Sequence, residues 1–86
     1  MNIEVLKALA SDCRLQIVCM LLEKDMSAGE IAEHFEIAQP SVSRHLQTLK
    51  NAGLVSVTRD CTRIIYSLER ESLCQAVSEL AKELGL

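Results

Sequence analysis

The hydrophobic positions change their period twice along the chain. From Asn2 to Ala10, Ile3, Leu6 and Leu9 recur every three residues, which predicts a short helix with one apolar face in need of a partner. Ser11-Asp12 then offers an N-cap, because a short side-chain oxygen accepts the orphan N–H bonds of a following first turn. The second helix opened there runs to about Lys24. Its Leu15, Ile17, Val18, Cys19, Met20, Leu21 and Leu22 are apolar nearly all the way round, the pattern of a central helix enclosed by others. Ser27 and Glu30 form a capping box for a third helix, which carries Ile31, Ala32 and Phe35 inward and ends near Phe35. Glu36-Ile37-Ala38 is a turn. Gln39-Pro40 restarts the chain, with proline at the first helical position, where its missing N–H costs nothing. Val42, Leu46 and Leu49 mark the buried stripe of the fourth helix, and Gly53 stops it.

After Gly53 the pattern becomes that of strands. Leu54, Val55, Val57 and Thr58, then Ile64, Ile65, Tyr66 and Leu68, are two runs rich in β-branched residues around a polar tip, Arg59 to Arg63. From Glu69 helical spacing returns, with Leu73, Val77, Leu80, Ala81 and Leu84 on one face. The expected fold is therefore mainly α with a small β-hairpin, in the order ααααββα. Residues 27–52 form a helix-turn-helix and residues 54–68 its wing, in a single domain spanning residues 1–86.

That arrangement points to duplex DNA on dimensions alone. The major groove, about 12 Å wide, admits one helix, whose first turns face base edges. With Val42, Leu46 and Leu49 turned inward, Gln39, Ser43, Arg44 and Gln47 must face out, with Ser41 and His45 on the margins. Arginine can bridge guanine O6 and N7, glutamine can bridge adenine N6 and N7, and serine can serve a phosphate or a base. Arg59 and Arg63 on the wing can reach the adjacent backbone or minor groove. The competing expectation is a winged helix that binds proteins through an ordinary solvated face.

The overall charge of −3 speaks against nucleic acid until it is divided. Residues 1–38 carry three basic and seven acidic side chains, residues 39–68 four and one, and residues 69–86 two and four. The basic third is thus the reading helix and wing. One Tyr, one Phe and no Trp leave no row of aromatics on which unpaired bases could stack. No apolar run reaches membrane-span length and no secretion signal opens the chain, so a cytoplasmic location without a membrane partner is expected. No His/Cys or carboxylate pair falls at catalytic spacing, so an enzyme is not expected.

Four stretches bring a family into view. They are Leu6 to Leu15 (LKALASDCRL), Gln39 to Leu46 (QPSVSRHL), Leu49 to Val55 (LKNAGLV) and Ile65 to Leu68 (IYSL). Together they closely resemble the ArsR/SmtB family of bacterial transcriptional repressors, in register from about residue 3 to residue 70. The resemblance implies a homodimer that binds a near-palindromic operator and releases it when an inducer binds. It also implies that the first and last helices, about residues 2–10 and 69–85, form the dimer interface. Carried over by position, the DNA-reading residues are Gln39, Pro40, Ser41, Ser43 and Arg44, with Arg59 and Arg63 on the wing.

The inducer is where the four cysteines enter. In a cytosolic chain Cys13, Cys19, Cys61 and Cys74 are thiols and not a disulfide framework. Cys19 and Cys74 can also serve as small hydrophobes. The family's Cys-x-Cys arsenic and cadmium site is absent, since Ser27-Ala28-Gly29 stands there. The zinc and nickel ligands on the last helix are absent too, because residues 69–86 hold neither His nor Asp. Residues 14–21 and 26–30 look like the reactive-sulfur and oxidant sensors of the family, which carry a cysteine at the place of Cys19. Their second cysteine falls near Gly85 by register, whereas Cys74 stands eleven residues earlier, about 16 Å along a helix. A thiolate site for As(III) or another thiophilic ion is the remaining possibility. For it Cys13, at a helix start where an anion is favoured, and Cys61, where the family usually has glycine, are the readiest members.

Overall fold

Residues 3–86 are described by the computed structural model, so Asn2, placed by its periodicity at the start of the first helix, lies outside the described residues. The elements are α1 (Ile3–Leu9), α2 (Asp12–Glu23), β1 (Met26–Ser27), α3 (Ala28–Phe35), α4 (Gln39–Asn51), β2 (Val55–Asp60), β3 (Arg63–Leu68) and α5 (Arg70–Glu83). The expected helices and hairpin are all present.

Local chemistry decides where the helices begin and end. Ser11 caps α2, its hydroxyl accepting from the Arg14 N–H at 3.4 Å. The capping box of α3 closes in both directions: the Glu30 N–H donates to Ser27 Oγ at 3.2 Å, and the Ser27 N–H donates to Glu30 Oε1 at 3.1 Å. At α4 the expectation shifts by one residue. Ala38 is the N-cap, Gln39 the first helical residue and Pro40 the second, still within the turn whose N–H groups have no helical acceptor. Gly53, at φ +78°, ends α4 in a Schellman motif. The Leu54 N–H reaches the Leu49 carbonyl and the Gly53 N–H the Lys50 carbonyl, both at 3.0 Å, and Leu49 and Leu54 bury completely together.

The sheet holds one strand more than expected. β1 pairs antiparallel with β3, Met26 opposite Tyr66 and Ser27 opposite Ile65, giving the strand order β1-β3-β2. Two residues are too few to show a period, and only the free edge of β3 makes them a strand. The hairpin is also tighter than its apolar runs implied. Pairing continues through Arg59–Ile64 and Asp60–Arg63, so the connection is Cys61-Thr62 alone, with Cys61 at φ +57°.

The core is one cluster in which Ile17, Leu21, Ile31, Val42, Leu46, Leu49 and Leu54 are fully buried. The helix that periodicity placed deepest is only half covered. α2 buries Ile17, Val18 and Leu21, while Leu15, Cys19 and Leu22 are exposed, because α1, α4 and β3 pack on one side of it. In α1 the buried residues are Val5 and Ala8, not the Ile3, Leu6 and Leu9 row; Ile3 is 60% exposed. α5 lies loosest. Ala76 alone is buried on it, Val77 and Leu84 are 57% and 65% exposed, and its start is held by the Glu69 N–H on the Leu54 carbonyl and by Arg70 on the Leu22 carbonyl.

The wing is tied to α3 by an ion pair between Arg63 and the same Glu30 that closes the capping box. The Ser27 N–H, the largest influence, holds the Glu30 carboxyl below its ordinary value. The Ser27 hydroxyl and the charges of Arg63 and Lys24 add to this, against a push upward from partial burial. Because its native value lies below the unfolded one, this contribution is complete above the ordinary glutamate value, about 4.3. It disappears as the pH falls through the lowered native value. We expect urea unfolding across this window to lose part of its acid dependence in Glu30→Gln; an unchanged pH slope would refute the assignment. Gly53→Ala should cost about 1–2 kcal/mol, the penalty of a side chain at positive φ, read from the urea midpoint.

Candidate nucleic-acid interface

The geometry of α4 follows from its buried stripe. Val42, Leu46 and Leu49, each 0% exposed, anchor one side of the helix, so the opposite side has no choice but to face outward. Gln39, Pro40, Arg44 and Gln47 are exposed there, and Ser41, Ser43 and His45 lie half-buried along the flanks. The helix has 13 residues, about 20 Å at 1.5 Å per residue, enough to lie along a groove. Gln47 Nε2 donates to Asn51 Oδ1 at 2.9 Å, one turn on, which orients the amide along the outer face. The Arg44 guanidinium is exposed and takes no partner among the described residues, while its backbone carbonyl accepts from Thr48 Oγ1 at 3.2 Å.

The wing stands beside the start of this helix. An open groove of about 320 Å³ separates the N-terminal ends of α3 and α4 from β3, with Ser27, Gln39, Ser43, Arg63 and Tyr66 among its walls. Arg59 is exposed on β2. Arg63 is exposed as well, but in the free chain its guanidinium rests on Glu30. Among the described residues the two wing arginines that looked equivalent in the sequence therefore differ: Arg59 takes no partner and Arg63 is already paired.

One polar residue was not singled out by its sequence pattern. Arg14, in the first turn of α2, donates from Nε to the Ala8 carbonyl at 2.6 Å and from Nη2 to the Lys7 carbonyl at 3.3 Å. It thereby caps the end of α1. Its Nη1 donates to His45 Nδ1 on α4 at 3.2 Å. The signal available was a basic residue shortly after a short helix, the type that commonly meets a helix's last carbonyls.

The cysteines form no disulfide. All four are free; Cys13 is half-buried at the edge of the core, and Cys19, Cys61 and Cys74 are exposed. Within the single chain neither Cys19 nor Cys74 is packed as a small hydrophobe. Cys19 lies on the bare face of α2, which this chain leaves uncovered, and Cys74 on the outside of loosely held α5. Cys19 lines an open, largely apolar cleft of about 300 Å³ with Leu15, Met20, His34 and Phe35. His34 meets Phe35 edge-on, ring centres 5.5 Å apart. Among the described residues no three His, Cys, Asp or Glu side chains gather closely enough to hold a metal ion, and no helix is long and apolar enough to cross a membrane.

The model of the family described as "Bacterial regulatory protein, arsR family" matches residues 11–57, from the cap of α2 into β2. Among curated proteins, the transcriptional activator HlyU of Vibrio cholerae is 38% identical over 80 residues, covering 93% of this chain and 73% of its own length. The transcriptional repressor SdpR of Bacillus subtilis is 42% identical over 74 residues, 86% of this chain and 82% of its own. The regulator KmtR of Mycobacterium tuberculosis is 43% identical over 87% of this chain, which spans only 58% of that protein. Among solved structures, reduced HlyU superposes with a TM-score of 0.76 at 37% identity, covering 95% of this chain and 85% of its own. The homodimeric winged helix-turn-helix DNA-binding domain of Mb0332 from Mycobacterium bovis superposes with 0.77 at 32%, over 93% and 76%. With the reading helix, the wing and these likenesses in agreement, the chain belongs to the ArsR family of bacterial transcriptional regulators.

Proposed function

We propose that this protein is a repressor that binds a near-palindromic operator as a homodimer and leaves it when an inducer reacts with or binds its cysteine thiols. The observation that carries the DNA half is the outward row Gln39, Arg44 and Gln47, with half-buried Ser43 beside it, on a helix whose other side is completely buried. Such a row presents donors and acceptors for base edges, with Pro40 and Ser41 at the helix start and Arg59 and Arg63 on the wing for the phosphates. SdpR is named a repressor and HlyU an activator, so repression is our reading of this chain.

The dimer follows from what a single chain leaves bare. Ile3 on α1 and Val77 and Leu84 on α5 are large, apolar and more than half exposed, and a second copy laid α1/α5 against α1/α5 would cover them. Two reading helices then meet two half-sites about one helical turn apart, which is why the operator is expected to be nearly symmetric. Three exposed thiols, Cys19, Cys61 and Cys74, and half-buried Cys13 stand within reach of a thiophilic agent. Arsenite, another thiophilic metal ion, or reactive sulfur and oxidants are the chemical classes that would act on them.

Four measurements test this. Arg44→Ala should weaken binding to the DNA upstream of the protein's own gene by about tenfold or more, the worth of one bidentate base contact. Binding should also fall steeply with salt, as phosphate contacts require; no mobility shift at low salt would refute the DNA reading. Val77→Glu with Leu84→Glu should turn a dimer into a monomer by sedimentation and abolish the shift. Single Cys→Ser variants challenged with arsenite, Cd(II) and a persulfide donor should include at least one that no longer releases DNA; release by all four would refute thiol sensing.

A further inference from the structure

Arg14 bridges three elements of the fold. It grows from the first turn of α2, holds the last carbonyls of α1 through two nitrogens and reaches His45 on α4 through a third. A guanidinium can only donate, so in this contact His45 Nδ1 is the acceptor. Arginine's rigid fork makes this a directional connection, since no single rotation of the side chain preserves all three bonds while α1 and α4 move apart.

From this we infer that Arg14 and His45 form the joint that fixes the reading helix α4 at a set angle to α1, so that Arg14 positions α4 for two half-sites at once. This rests on the proposed DNA reading and on α1 belonging to the dimer seam. Within a dimer, the distance between the two α4 helices is set by the path from the seam through α1 to α4, and the path is short. α1 packs directly on α4, and Arg14 is the polar strut across that packing. A rigid joint keeps both reading helices in register with half-sites a fixed distance apart, whereas a loose one leaves each helix able to bind but not both together. Arg14 is in this sense a positioning residue, acting through the orientation of α4.

The test separates spacing from folding and from DNA contact. The wild-type chain selects a duplex from a random-sequence library, and the variants are measured on that full duplex and on one cut to a single half-site. Arg14→Ala and His45→Leu should each weaken full-duplex binding about tenfold, the order of a hydrogen bond to a charged group. Half-site binding should stay within twofold. The double variant should lose about tenfold and not a hundredfold, because both changes break one joint. His45→Asn, which keeps an acceptor at the place of Nδ1, should recover most of the loss, and Arg14→Lys, which has no fork, should not. Urea unfolding confirms that each variant is folded, and the two conservative variants carry the comparison should Arg14→Ala fail to fold. Equal losses on full and half-site duplexes, or losses that multiply in the double variant, would overturn the inference while leaving the DNA reading intact. Failure of the wild-type chain to select any duplex would overturn both.

Discussion

Three side chains decide which way this protein faces. Val42, Leu46 and Leu49 lie along one side of α4 and are completely buried against α2, α3 and the start of the wing. Truncating one such leucine costs about 2–5 kcal/mol, a large share of the 5–15 kcal/mol that typically holds a domain together. The stripe therefore cannot rotate without unfolding the domain. Every polar residue on the opposite side is carried to the surface by that constraint and not by any preference of its own. The proposed reading surface is a by-product of core packing, which gives it the rigidity that recognition of base edges would require.

Around this fixed helix the remaining parts are held with graded firmness. Capping residues and the Schellman turn at Gly53 fix the ends of α3 and α4. The wing is registered twice, by its own ladder and by the pair between Arg63 and Glu30, so that Glu30 serves α3 and β3 at once. α1 is held by Val5, Ala8 and the Arg14 guanidinium. α5 is held least, by Ala76 and contacts near its start. Firmness thus falls from the reading helix toward the terminal helices, and the apolar surface left uncovered rises along the same direction. A chain of 86 residues has little core to distribute.

Much of this was legible without coordinates, wherever the signal was local. The caps at Ser11 and Ser27, the glycine stop, the strand-to-helix changes of period and the α4 stripe each lie within a few residues of one another, and each appears where its pattern placed it. What went astray depended on neighbours distant in sequence. The all-round apolar pattern of α2 implied enclosure, but a sequence pattern does not say whether the enclosing surface is supplied by the same chain. The three-residue row Ile3, Leu6, Leu9 was a real apolar face of which only Leu9 reaches the core, while Val5 and Ala8 are buried, because α1 meets α2 and α4 along its other side. β1 had no pattern at all and exists only because β3 offers an unpaired edge.

The sequence by itself determined the order of the elements, the outward residues Gln39, Arg44 and Gln47, and the basic character of the segment that bears them, while Ser43, read as outward too, lies half-buried on the flank. Those follow from helical and strand periods and from covalent order. Only the tertiary structure decided that Arg14 bridges α1 and α4 and that Arg63, unlike Arg59, is paired. It decided also that Cys13, Cys19, Cys61 and Cys74 are free thiols. These are questions of distance between residues far apart in the chain: 31 positions separate Arg14 from His45, and 33 separate Glu30 from Arg63. Periodicity constrains the direction of a side chain from its own helix or strand, whereas what it meets depends on how all the elements pack together.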